Sequence, residues 1–222
     1  MREIVLDTET TGFDPALGHR VVEIGCIELF NHVPTGKHYH VYLNPERDMP
    51  MDALAVHGLT DEFLASQPMF ADVCEAFLAF IGDAPVIAHN ADFDFRFINA
   101  ELQRCGYPAL VANRAIDTVG MARALFPGAP ASLDALCKRF MIDNAARTLH
   151  GALLDAQLLA EVYLELIGGR QPDLALAAIS ASEESAIIEI VHRAPRSHVA
   201  SEAELAAHAE FLKKITNPIW LR

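Results

Sequence analysis

The chain has 222 residues, 52% of them hydrophobic and 21% charged, enough for one sizeable core with an appendage. Its net charge of −13 excludes a protein that wraps duplex nucleic acid through a basic surface, but not one that grips only a strand end and carries its positive charge as bound metal. No apolar run approaches the ~18 residues that a spanning helix needs, and Met1-Arg2-Glu3 leads straight into a strand, so no signal peptide is expected.

Residues 2–7 read as a strand, with Ile4-Val5-Leu6 running into Asp7. Arg20–Phe30 reads as a second, on its alternating Val22, Ile24 and Cys26. Pro34-Thr35-Gly36 reads as a turn, and His38–Leu43 as the returning strand. Val73, Ala76, Phe77 and Phe80 have helical spacing over 72–81. Pro85-Val86-Ile87-Ala88 is a short buried strand. Phe93, Phe97, Ile98 and Leu102 mark a helix, with Asp92 as its expected N-cap. Ile116-Asp117 reads as a short strand, and helices follow at about 118–125, 132–139 and 152–167. Gly168-Gly169 ends the last of these. Residues 171–186, rich in Ala, Ser and Glu towards their end, read as a linker. Residues 187–222 regain apolar character, with a helix near 202–214 and then Pro218-Ile219-Trp220. An early meander followed by alternating α and β elements predicts an α/β fold: a mixed central sheet flanked by helices. The cysteines Cys26, Cys74, Cys105 and Cys137 lack CxxC spacing, which points to reduced thiols, a cytoplasmic protein and no zinc site.

The chemistry concentrates in five residues. Asp7 and Glu9 stand two apart on a strand, so both project to one face and repel. Such a pair needs a proton on one member or a cation between them. Hard divalent cations with oxygen ligands meet that need. Two-metal phosphodiester hydrolysis takes several carboxylates around ions roughly 3.5–4 Å apart, and Asp94 and Asp155 can supply the others. Asp155 lies beside Leu153, Leu154, Leu158 and Leu159, where a bare carboxylate is costly. His150 precedes it by five residues, next to Gly151. An imidazole there, ordinarily titrating near pH ~6.5, can act as a general base on water.

Three motifs occur in order: Asp7-Thr8-Glu9-Thr10-Thr11-Gly12, His89-Asn90-Ala91-Asp92-Phe93-Asp94, and His150-Gly151-Ala152-Leu153-Leu154-Asp155. The set resembles the DEDD superfamily of 3′→5′ exonucleases, in the subgroup whose last motif carries His. Ser132-Leu133-Asp134-Ala135-Leu136-Cys137 and Thr148–Gln157 narrow the resemblance to the proofreading (epsilon) subunits of bacterial DNA polymerase III. The resemblance is close over residues 1–170 and looser over 187–222.

It implies a ribonuclease H-like fold over residues 1–170 and two ions, Mg²⁺ or Mn²⁺, on Asp7, Glu9, Asp94 and Asp155. It selects Asp94 over Asp92 and makes His150 the base. It implies that Asp7, Glu9, Thr10, Asp52, His57, Phe93 and Asp155 touch the terminal nucleotide of a single-stranded 3′ end of DNA. His57 on sequence alone is equally a plain turn residue, and Phe93 equally a core residue. Gln171, Leu174 and Leu176 resemble a sliding-clamp peptide without its final aromatic, against a chance match. Residues 187–222 become the segment that docks the polymerase alpha subunit. Two rivals remain from the sequence: an RNA-trimming enzyme with the same chemistry, and a non-catalytic scaffold between polymerase and clamp.

Overall fold

The computed structural model describes residues 1–145, 149–168 and 199–216. Strands β1 (Arg2–Thr10), β2 (Val21–Phe30) and β3 (Val33–Tyr42) form an antiparallel meander. β4 (Val86–Ala88) joins β1 in parallel, and β5 (Ala115–Asp117) joins β4 in parallel. The sheet order is β3-β2-β1-β4-β5. The helices are α1 (Met51–His57), α2 (Asp61–Leu64), α3 (Phe70–Ile81), α4 (Ala91–Arg104), α5 (Thr118–Leu125), α6 (Leu133–Phe140), α7 (Ala152–Leu166) and α8 (Glu202–Leu212).

The period-two alternation of β1 splits the core into two layers. Ile4 and Leu6 pack with Phe77, Phe97 and Ile98 of α3 and α4. Val5 packs on the opposite face with Leu136, Leu159 and Val162 of α6 and α7. The result is the mixed, helix-flanked α/β sheet that the sequence predicts.

Helix α7 is laid along β1 by contacts at both of its ends. At its N-terminal end Gly25 of β2 faces it, opposite Asp7 in the ladder. A Cβ on Gly25 would stand 2.3 Å from the Ala152 carbonyl carbon, so only glycine lets the helix backbone come so near the sheet. Further along, the Tyr163 hydroxyl donates to Glu3 Oε1 at 2.9 Å, a buried bond back to the start of β1.

Three local expectations are corrected. The β2–β3 hairpin turns at Asn31 and His32, with φ of 49° and 68°, not at Pro34-Thr35-Gly36. Two consecutive left-handed residues give the turn whose twist matches the strands. Pro34 lies inside β3, which tolerates it as an edge strand. Asp92 does not cap α4: the N-cap is Asn90, with φ of 73°, and Asp92 pairs with Arg96 at 3.3 Å on the exposed face. His57, for which the sequence leaves a plain turn as an alternative, is instead the last residue of the short helix α1, and α2 follows at Asp61–Leu64.

The chain divides into two compact units, residues 1–174 and 175–222. In the second, α8 opens on a capping box in which Ser201 and Glu204 satisfy each other's backbone N–H groups. The proposed linker, the clamp-peptide residues Gln171, Leu174 and Leu176, residues 187–198 and Trp220 lie outside the described residues. All four cysteines are free. No described helix is long and apolar enough to cross a membrane.

Gly25→Ala tests the close approach. The added methyl must push the α7 backbone off the sheet, because no flexible side chain is there to yield. A loss of about 1–3 kcal/mol in urea unfolding is expected, with a larger fractional loss of activity, since Asp155 moves with the helix. Unchanged stability and turnover would show that α7 does not depend on this contact.

Candidate active site

The site forms where the two helical layers meet at the carboxyl end of β1. Asp7 and Glu9 share the β1 face that carries Val5, the face covered by α7. Asp155 lies in the first turn of α7 and is buried beside them. Asp94 arrives from the other layer, in the first turn of α4, and is also buried. With His150 these acids line one cavity of about 290 Å³. The five residues that the sequence singles out, scattered over 149 positions, are thus brought together.

His150 sits on the loop before α7, with about half of its side chain exposed. Its Nδ1 is 3.4 Å from Asp155 Oδ2. Its backbone N–H donates to the Val56 carbonyl at 3.1 Å, which ties this loop to α1. Ligand atoms of Glu9, His150 and Asp155 lie within 4.8 Å of one another. That spacing, with Asp7 and Asp94 in the same hollow, fits a divalent cation held by carboxylate oxygens.

The start of α4 is held by a neighbour that the sequence reading missed. Asp117, at the end of β5, accepts from the N–H groups of Asn90 at 2.9 Å and Ala91 at 3.3 Å. The same carboxylate caps α5 through Val119 and Gly120, at 3.2 and 3.0 Å. One side chain therefore fixes the origins of two helices. Thr8 was also missed. It lies between the two motif acids on the opposite face of β1, and its hydroxyl donates to Asp94 Oδ1 at 2.8 Å. Strand alternation alone points Thr8 away from the acids, so only the tertiary fold shows this bond. Ser132 and Asp134, quoted only as part of a motif, form a wall of the cavity.

Burial pushes the Asp94 carboxyl up to about 7, although the Thr8 hydroxyl favours its charged form. A nearby cation would reverse that shift.

A second cavity of about 280 Å³ adjoins the first, and Thr8, Glu9 and Phe93 line both. Thr10, Asp52 and His57 line its other side. Asp52 and His57 stand near the two ends of α1, so the short helix brings both to this cavity. His57 Nδ1 accepts from Leu59 N–H at 3.1 Å. Burial lowers the His57 pKa, a hydrogen bond to the Thr10 backbone works against that, and His150 nearby adds to the lowering. Phe93 satisfies both sequence readings: it lines the cavities and stacks on Phe97 with centroids 4.9 Å apart.

Comparison with known proteins places this geometry. Residues 4–163 match the RNase_T family, described as Exonuclease. A curated relative from Rickettsia felis, "DNA polymerase III subunit epsilon", is 49% identical, over 97% of each chain. The protein of that name from Escherichia coli is 44% identical, over 93% of this chain and 90% of its own. Among solved structures, "Exonuclease X in complex with 5' overhanging duplex DNA" superposes with a TM-score of 0.59 at 26% identity, over 74% of this chain and 90% of its own.

The raised Asp94 pKa sets a pH dependence of stability. A carboxyl raised in the folded state stabilises below its unfolded pKa and loses that contribution as pH rises through about 7. Asp94→Asn keeps an acceptor for Thr8 and removes the charge. The metal-free variant should therefore exceed the parent in stability at pH 8, by up to about 4 kcal/mol, and match it near pH 4. Denaturant melts in EDTA at the two pH values measure the difference. An equal gain at both would assign the effect to packing instead.

Proposed function

The chain belongs to the Exonuclease family, in its branch of DNA polymerase III epsilon subunits, and from that premise we propose how its residues divide the work. The protein is a metal-dependent 3′→5′ exonuclease, the proofreading subunit of a replicative DNA polymerase. The observation that carries the residue-level reading is the convergence of Asp7, Glu9, Asp94, Asp155 and His150 on one cavity, with a second beside it.

Asp7, Glu9, Asp94 and Asp155 are the groups that would hold two ions, Mg²⁺ or Mn²⁺. When bound, such ions lower the pKa of the attacking water and stabilise the leaving 3′-oxygen. The carboxylates come from three elements of two layers, so the fold holds them together before any ion arrives. His150 is the general base: half-exposed, it has room to turn towards water, and Asp155 Oδ2 at 3.4 Å orients it. The reaction releases a nucleoside 5′-monophosphate.

The terminal nucleoside is assigned to the second cavity. Glu9 accepts from its 3′-hydroxyl. Phe93 packs against base or sugar, a contact that tolerates any sequence. Thr10, Asp52 and His57 close the other side. Asp7 and Asp155 would hold the ions that face the scissile phosphate of the terminal nucleotide.

The remaining assignments concern partners. Residues 187–222 dock the polymerase alpha subunit, on the strength of an apolar segment too short to build a core alone. Gln171, Leu174 and Leu176 engage the sliding clamp, weakly, for want of a final aromatic. A tether suits an acidic enzyme with little affinity of its own for DNA, because it raises the local concentration at the primer end. The protein works in the cytoplasm.

Two experiments test this division. His150→Ala should slow hydrolysis of single-stranded DNA by roughly 10²–10⁴ while leaving Mn²⁺ binding intact, whereas Asp7→Ala or Asp155→Ala should abolish hydrolysis with the fold preserved. More than a few per cent of residual activity in Asp7→Ala would sink the metal-ligand assignment. Separately, truncation near residue 180 should leave hydrolysis of single-stranded ends nearly unchanged and abolish co-elution with the polymerase. If the truncated protein still co-elutes, docking belongs to residues 1–170.

A further inference from the structure

A third cavity, of about 520 Å³, extends the first two. The cavity of the carboxylates shares Thr8, Glu9 and Phe93 with the nucleoside cavity, and His89 and Ser132 with this third one. No described residue lines both the nucleoside cavity and the third. The three therefore follow one another, with the acids in the middle.

A DNA strand has the same order. From its 3′ end come the terminal nucleoside, the scissile phosphodiester, and then the next nucleotide with its own phosphate. With the nucleoside in the cavity of Thr10, Asp52 and His57 and the scissile phosphate among the acids, the strand continues towards 5′ through the third.

The third cavity is chemically suited to that. Arg123 is the single lysine or arginine among the described residues that line the three cavities. It is exposed, and no hydrogen bond or ion pair to a described residue engages it. The acid of this cavity, Asp117, is already engaged by the four N–H groups of Asn90, Ala91, Val119 and Gly120. A guanidinium is the side chain best shaped to pair with a phosphate in two-pronged fashion. In a chain of net charge −13, one such cation beside the acids offsets part of the repulsion that an incoming polyanion meets.

We infer that the third cavity is a subsite for the internucleotide phosphate one step 5′ of the scissile bond, and that Arg123 pairs with that phosphate. The inference rests on the assignment of the first two cavities proposed above.

Two substrates separate it from that assignment. The p-nitrophenyl ester of thymidine 5′-monophosphate carries a scissile phosphate and none beyond it. The trinucleotide dTpTpT carries one more. With the full-length protein and Mn²⁺, Arg123→Gln should lower kcat/KM on the trinucleotide by about tenfold more than on the ester, mainly through KM. Arg123→Lys should recover part of the loss. The dependence of log KM on log salt for oligothymidylate should flatten by about 0.7 in the Gln variant, the value for one phosphate contact on a single strand. Equal effects of Arg123→Gln on both substrates, or no effect on the trinucleotide, would overturn the inference. A parent enzyme that cleaved neither substrate would remove the site assignment itself, and the inference with it.

Discussion

The site depends on one close approach, that of the α7 backbone to the sheet at Gly25. Asp155 is useful only if the first turn of α7 lies against β1. A side chain at residue 25 would occupy the space where the Ala152 carbonyl now lies. Gly25 is the ladder partner of Asp7, so the gap opens directly beside the first motif. The bond from Tyr163 to Glu3 then sets the helix direction, and Asp155 cannot swing away. Packing, not attraction, places this acid: nothing in the electrostatics of three buried carboxylates would draw them together.

That electrostatic opposition is itself informative. Glu9, Asp94 and Asp155 are all buried, and burial, with Asp117 nearby, lifts Asp94 to about 7 against the hydrogen bonds that favour its charged form. A fold that holds acids so close stores repulsion, which a divalent cation relieves. The stored repulsion makes the site selective for high charge density, and it makes the carboxylates poor candidates for a stabilising role. The structure around them is correspondingly rigid. Thr8 restrains Asp94 from below, and Asp117 pins the start of the helix that carries it. His150 differs: it is half-exposed and on a loop, attached at its backbone to α1. The carboxylates proposed to hold the ions are fixed, and the proposed base has room to turn, as those tasks would demand. The link to α1 also joins the His150 loop to the helix that carries Asp52 and His57, so the two sides of the adjoining cavities are parts of one hydrogen-bonded unit.

Much of this was legible in the sequence because it is local. Alternation in residues 2–10 puts Asp7 and Glu9 on one face, and the run Ile4-Val5-Leu6 marks a buried strand. The apolar periodicity of residues 152–166 marks α7 and places Asp155 in its first turn. The three ordered motifs identified the family, and with it Asp94 over Asp92. Where signals were short or ambiguous, local reading failed. Helix α1 has seven residues and Pro50, with no capping side chain, at its N-cap, so it passed for a turn. Asn31-His32 was overlooked because Pro34-Thr35-Gly36 is the stronger turn signal, yet an edge strand admits that proline.

By itself, then, the sequence determined the elements, the two-faced β1 and the inventory of acids, since these depend on periods of two and 3.6 residues that any short window contains. Only the tertiary structure decided how the two layers meet. It brought Thr8 of one face to Asp94. It made Asp117 the joint cap of α4 and α5, and it set three cavities in sequence with Arg123 at the far end. The bonds from Thr8 to Asp94 and from Ala91 to Asp117 join residues 86 and 26 positions apart. Close packing settles these contacts, and the absence of a Cβ at Gly25 settles the approach of α7; neither leaves a periodic mark in the chain.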